Sequence, residues 1–412
     1  MPWRRRYRIN GCLDDNFPTE IREAMDFSFT EEQEAIRDAV ARVCRKYDAE
    51  YWRRRDHEGS FPEDFVKDMA DGGWLGIAMP PEFGGSGLGV TEAALMMQTV
   101  ARSGAALSGC SAIHMNIFGP MPVVVFGTEE QKQRNLPRLI SGEDRTCFGV
   151  TEPNAGLNTS KIETRAERSN DGWITHGRKI WTSTAQTANK ILLLARTTPA
   201  EQCKRPIEGL SLFYTDLDRN YVEVREIDKM GRMAVDTNTV FIDGLPIPRD
   251  DLIGEEGQGF RYLLHGLNPE RVLVGAEAVG IGLVALERAV EYAKQRIVFD
   301  RPIGQNQAIQ HPLARAWAEL QAANLMCFQA AALYDAGKPC GAEANAAKYL
   351  AAEAGFRACE TAVLTHGGMG YAKEFDVERY LREILIARIA PVSREMILNY
   401  IGERVLGLPR SY

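Results

Sequence analysis

The chain has 412 residues, 45% hydrophobic and 25% charged, with a formal net charge of −7 at pH 7. That length exceeds what one hydrophobic core spans, so several domains are expected, and the acidic balance argues against nucleic acid or an anionic membrane as the main partner. Eight scattered cysteines (Cys12, Cys44, Cys110, Cys147, Cys203, Cys327, Cys340, Cys359) form no C-x-x-C pair, which speaks against a metal site or a disulfide framework and for a reducing, cytoplasmic setting, and no apolar run reads as long enough to span a bilayer.

In chain order, residues 1–25 form an extension in which Arg4, Arg5, Arg6 and Arg8 precede Asp14, Asp15 and Glu20. It lacks the apolar segment of a secretory signal, its acids do not suit an organelle presequence, and Met25 offers an alternative start. Residues 26–145 read as a helical domain: Thr30 and Gln33 fit a capping box, and Ile36, Val40, Val43 and Cys44 repeat at helical spacing. The glycine-rich stretch 84–89 is read as a loop, because Val90 stands where a dinucleotide fingerprint needs glycine.

Residues 146–258 change to β-branched runs with strand character. Ala166 and Glu167 are joined to Trp173 by a hairpin turn at Asn170-Asp171-Gly172, and runs at 191–195, 210–214, 222–225 and 239–242 follow without intervening helices. An antiparallel barrel-like domain is therefore expected. From 259 to 412 helix returns, with an apolar stripe of Val279, Leu283, Leu286, Val290 and Ala293 and two alanine-rich helices, read as a four-helix bundle. The fold class is mainly α with a central β-domain.

Within the last segment, His265-Gly266-Leu267-Asn268-Pro269-Glu270-Arg271-Val272 sets one carboxylate in an apolar, small-residue stretch of a long predicted helix. Burial would raise the pKa of Glu270 toward that of a general base, and Arg271 beside it suits an anionic ligand. The same residues also read as a helix start, with Asn268 as N-cap, Pro269 in the first position and Glu270 complementing the dipole.

Five motifs stand in order: Phe148-Gly149-Val150-Thr151-Glu152-Pro153-Asn154-Ala155-Gly156, Lys179-Ile180-Trp181-Thr182-Ser183, the Glu270-Arg271 pair, a run from Gln295 to Gln307 containing Arg296, Phe299 and Arg301-Pro302-Ile303-Gly304, and His366-Gly367-Gly368-Met369-Gly370-Tyr371. Over roughly residues 26–412 the chain resembles the acyl-CoA dehydrogenase family.

That resemblance implies an FAD enzyme that removes the α-proton of an acyl-CoA as the β-hydrogen leaves as hydride to flavin N5. It implies that Phe148, Val150 and Thr151 lie along the isoalloxazine ring, with Trp181 and Ser183 beside it. A neighbouring subunit of a homotetramer would bring Arg296, Phe299 and Gln307, while Gly367 and Gly368 let backbone approach the dinucleotide and Ser393 reaches it from the late loop. Glu270 takes the role of base, Arg271 and Asn268 contact the substrate, and an electron-transfer flavoprotein is the implied acceptor.

Three departures qualify the resemblance. Pro391 stands where many members carry the late-loop base and its backbone N–H, and proline has no N–H to give a developing oxyanion. Leu364 replaces a frequent glutamine, and Leu157 stands where many members place a serine on the substrate's phosphopantetheine arm. The mid-helix base points weakly to a short-to-medium or branched acyl group. The Pro391 departure keeps an acyl-CoA oxidase or a desulfinase-like flavoenzyme as the alternative. The carboxylate of Glu152 reads as a turn group bonded to nearby N–H donors, and His265 and His366 as structural.

Overall fold

The computed structural model describes residues 28–411; the extension over residues 1–25 and the alternative start at Met25 lie outside the described residues. Helix α1 (Glu31–Cys44) starts at the capping box expected from sequence: Gln33 N–H donates to Thr30 Oγ1 (3.2 Å) and the Gln33 side chain accepts from Thr30 N–H (3.0 Å). Helices α2 (Ala49–Glu58), α3 (Glu63–Asp71), α4 (Val90–Val100), α5 (Ala106–Phe118), α6 (Met121–Phe126) and α7 (Glu129–Ile140) complete the first helical unit.

The stretch Val90–Phe126 is helical over 37 residues and apolar enough to cross a membrane by length and composition, contrary to the sequence expectation. It is broken at Gly104 (φ 97°), and most of its apolar residues face the core. Their apolarity is therefore that of an interior helix, not diluted by a solvent face.

The sheet is built from β1 (Thr146–Gly149), β2 (Arg165–Arg168), β3 (Gly172–Ser183), β4 (Lys190–Arg196), β5 (Leu210–Asp216), β6 (Val222–Glu226) and β7 (Thr237–Pro248), in the order β1-β4-β2-β3-β7-β6 with β5 also on β4. Its β2–β3 hairpin turns at the expected Asn170-Asp171-Gly172. The ladders are antiparallel except where β4 meets β1 and the first residue of β2. That parallel β1–β4 pairing, which the sequence reading did not foresee, is possible because the intervening hairpin serves as the long crossover such a pair needs. β4 is buried on both faces: Leu192 and Leu194 join one core with Leu136, Leu139 and Leu212, whereas Ile191 and Leu193 join another with Trp173, Phe213 and Val240. This explains its uninterrupted apolar run.

Helices α8 (Gly259–His265), α9 (Leu267–Gln295), α10 (Gln307–Asp335), α11 (Gly341–His366), α12 (Val377–Ile384) and α13 (Arg394–Tyr400) form the second helical unit. Its core is not its own. One apolar cluster runs from Val40, Trp52, Phe65 and Val100 through Val272, Val279 and Leu320 to Ala358 and Ile384. Close approach depends on small residues: a Cβ built at Gly280 would stand 2.5 Å from Gln98 O, and one at Gly355 would stand 2.5 Å from Ala278 O. The two units are also stitched polar to polar, since Asp335 at the end of α10 accepts from the N–H groups of Val90 (2.7 Å) and Thr91 (2.9 Å) and so caps α4.

Candidate active site

A recess opens where α5, the end of β1 and the α8–α9 joint converge, lined by His114, Phe118, Pro122, Phe148, Leu263 and Glu270 among others. Gly266 is the joint: α8 ends on it and α9 begins after it, with Glu270 N–H donating to Gly266 O (3.2 Å). The helix thus starts at Leu267, earlier than the helix-start reading allowed. Asn268 does not cap it, because its carboxamide oxygen instead accepts from Arg271 Nη1 (2.9 Å).

Glu270 presents a fifth of its side chain (20% exposed) to the recess, and burial raises its pKa above the ordinary carboxylate value, against the opposing pull of His114 and Arg271. A carboxylate so held takes up a proton more readily than one exposed to water.

Two residues that sequence reasoning missed complete its surroundings. His114 from α5 lies between Glu270 and Glu277: Nδ1 is 2.8 Å from Glu277 Oε1, and Nε2 is 3.9 Å from Glu270 Oε1. Both carboxylates are on α9, seven residues and therefore two turns apart on one face. That spacing is a signal the sequence carries; the histidine, 163 residues away from Glu277, is not. Burial works against an imidazolium at His114, but Glu277 and Glu270 outweigh it and hold its pKa above the usual value.

On the other side of Glu270, Arg271 Nε is buried without a protein partner among the described residues. Lys348 from α11, pushed down to about 8 by burial and by Arg271, donates to Val392 O (2.7 Å). The late loop therefore turns a carbonyl toward α11 beside exposed Pro391, and Ser393 is engaged as the N-cap of α13, accepting from Met396 N–H (3.4 Å).

The strand-end residues form a second group. Phe148 lines the recess and Val150 packs beside it on the β-core, while Thr151 O accepts from Ile180 N–H (2.9 Å), bringing the end of β1 against β3. There the β3–β7 register shifts between Lys179 and Thr182, and the bulge leaves Trp181 at φ 61° and 58% exposed, with half-buried Ser183 two residues on. Buried Lys179 fastens this junction, donating to Glu152 Oε1 (2.8 Å), Leu194 O (2.7 Å) and Val150 O (3.2 Å). Glu152 accepts further from Glu163 and Thr164 N–H (2.7 and 3.0 Å), the turn role expected of it.

Arg296, Phe299, Gln307, Gly367 and Gly368 lie elsewhere. Arg296 ends α9, about 39 Å of helix from Glu270. Gly367 (φ 59°) and Gly368 end α11 at the same end of the bundle, where His366 stacks on Tyr292. All five are exposed, Phe299 at 94%, and a Cβ built at either glycine meets open space. Leu157 is an exposed turn residue outside the recess, and His265 packs edge-on against Phe126.

The chain matches the sequence profiles of the acyl-CoA dehydrogenase N-terminal domain over residues 30–143, middle domain over 147–245 and C-terminal domain over 257–406. It is 39% identical to the acyl-CoA dehydrogenase FadE12 of Mycobacterium tuberculosis, an alignment covering 94% of this chain and 100% of that one. Among solved structures, butyryl-CoA dehydrogenase from Megasphaera elsdenii superposes with a TM-score of 0.88 at 29% identity, covering 93% of this chain and 100% of that one. A chain from the structure of the electron transferring flavoprotein of Acidaminococcus fermentans superposes equally, at 0.88 and 30% identity with the same coverage.

Proposed function

The chain belongs to the acyl-CoA dehydrogenase family, and from that premise we propose that it oxidises a short-to-medium or branched acyl-CoA to the trans-2-enoyl-CoA with FAD, as a cytoplasmic homotetramer. The observation that carries this reading is Glu270, a half-buried carboxylate lining the same recess as Phe148.

Glu270 takes the α-proton onto a carboxylate oxygen while the Cα–H electron pair moves toward the thioester carbonyl. Arg271 and Asn268, tied to each other, form the polar wall on the substrate side. FAD, when bound, supplies the acceptor for the β-hydride. The residues that would hold it fit a flat polar ring and a dinucleotide: the junction of Phe148, Val150 and Thr151 with the bulge bearing Trp181 and Ser183, and the open backbone at Gly367 and Gly368. Because Arg296, Phe299 and Gln307 are exposed and lie at or beyond the far end of α9, away from Glu270, they are assigned to a site of a neighbouring subunit. The likeness to a chain of the A. fermentans electron transferring flavoprotein structure supports an electron-transfer flavoprotein as acceptor.

Pro391 favours a second reading, an oxidase or desulfinase-like reaction on the same scaffold, because the late loop has lost an oxyanion donor. Anaerobic titration of the purified flavoprotein with an acyl-CoA panel tests both. Bleaching of the flavin absorbance by wild type and a rate at least about 100-fold lower in Glu270→Gln are expected. Prompt bleaching by the variant overturns the role of Glu270, and rapid reoxidation in air selects the oxidase.

A further inference from the structure

Glu270 does not face the recess alone, and its neighbour from α5 is held with more precision than packing requires. His114 is 6% exposed, its Nδ1 fixed on buried Glu277 at 2.8 Å, so Nε2 is left directed at Glu270 Oε1 across 3.9 Å. His114 also lines the recess. Resting on the reading of Glu270 as base, we propose that His114, clamped by Glu277, is a positioning residue that stays protonated and keeps the Glu270 carboxylate ionised and turned into the recess.

The arrangement has the required chemistry. An imidazole bonded at Nδ1 to a carboxylate donates there, and protonation at Nε2 then makes a cation facing the second carboxylate. Two glutamates and one histidinium carry a net charge of −1, whereas two dry carboxylates alone would repel, and one would hold a proton. Other groups bear on the pair from every side. Half-buried Arg232, from the β6–β7 connection and bonded to Ser111 Oγ (2.9 Å), faces His114 and Glu277 and disfavours the imidazolium. Arg271 on α9 and Lys348 on α11 face Glu270, both favouring its anion. Glu383 on α12 faces Arg232, offsetting that cation, and Cys110 on α5 lies beside Glu277. His114 is the cation nearest the Glu270 carboxylate on the α5 side, and removing it leaves Arg271 and Lys348 to hold the anion alone.

The test is the pH profile of α-proton exchange from an acyl-CoA in D2O, followed by NMR on the flavin-loaded protein, for wild type, His114→Gln and Glu277→Gln. The midpoint of the acidic limb is expected to move up by at least about one pH unit in both variants, a tenfold loss below the midpoint, with the rate recovering at alkaline pH and KM little changed. A residue that only packs would lower the rate at every pH without moving the midpoint, and an unmoved midpoint in both variants overturns the proposal. Ring-15N histidine spectra of wild type supply a readout independent of exchange and of either variant's folding: an imidazolium at His114 at pH 7 is expected, and a neutral ring there overturns it. Glu270→Gln run alongside separates the two ideas. Wild-type exchange in that variant would remove the base itself, whereas loss of exchange there with unmoved midpoints elsewhere removes only the part given to His114.

Discussion

Replacing Lys179 by methionine removes a buried cation from the junction on which the end of β1 rests. The ammonium is fully buried and burial pushes its pKa down to about 8 against the pull of Glu152, so it is held by its three acceptors and not by solvent. In Lys179→Met the Val150 and Leu194 carbonyls lose their donor, and Glu152 is left buried with only the Glu163 and Thr164 amides. Breaking a buried pair from one side costs about 3–5 kcal/mol, because the remaining charge is uncompensated. At about 2.1 cal/mol/K of unfolding entropy per residue, a loss of that size lowers the apparent Tm by about 3–6 °C for a chain of 412 residues. Thermal melts of the flavin-loaded protein at pH 7, read by circular dichroism and by flavin fluorescence, measure it. The double variant Lys179→Met/Glu152→Gln is expected to recover at least ~1 kcal/mol by removing the stranded charge. A single variant within about 2 °C of wild type, or a double variant no more stable than the single, refutes the reasoning.

Stability and pH should be linked through Glu270. Its pKa is raised by burial, so the folded state binds the proton more tightly than the unfolded chain, and that contribution is present at acid pH and lost as pH rises through the raised value. Glu270→Gln is therefore expected to melt above wild type at pH 8, with the gap closing as pH falls toward the ordinary carboxylate range; a gap independent of pH would contradict the burial. Gly355→Ala, at a position where alanine normally gains about 1 kcal/mol over glycine in a helix, should instead destabilise by about 1–3 kcal/mol. Its Cβ would stand 2.5 Å from Ala278 O and 3.1 Å from Ile384 Cδ1, and an unchanged denaturation midpoint would show that α9 and α11 can separate freely.

What the sequence made legible follows from the range over which each signal acts. The Thr30–Gln33 capping box, the turn at Asn170-Asp171-Gly172 and the alanine-rich helices are local patterns, and each reappears where expected. Glu270 was visible because its neighbours in sequence are apolar. His114 was not, since a histidine in an apolar helix has the same look whether it serves a carboxylate or fills a core. The parallel β1–β4 pairing was hidden for the same reason: strand direction depends on how the chain returns, which a run of β-branched residues does not encode. Asn268 misled in the other direction, a good cap by residue type whose side chain is claimed by Arg271.

The shared helical core has a consequence for how the chain is made. Val100 and Val272 lie in one apolar cluster, yet the whole sheet is synthesised between them. At 5–20 residues per second the ribosome needs roughly 10–30 s to bridge that interval. For that time α1 to α5 present to solvent the surface that α9 and α11 will later cover. The nascent chain is thus committed to a wait with its apolar face open, and the sheet, whose strands pair with one another, can fold first and hold the two halves of the core near each other until the second arrives.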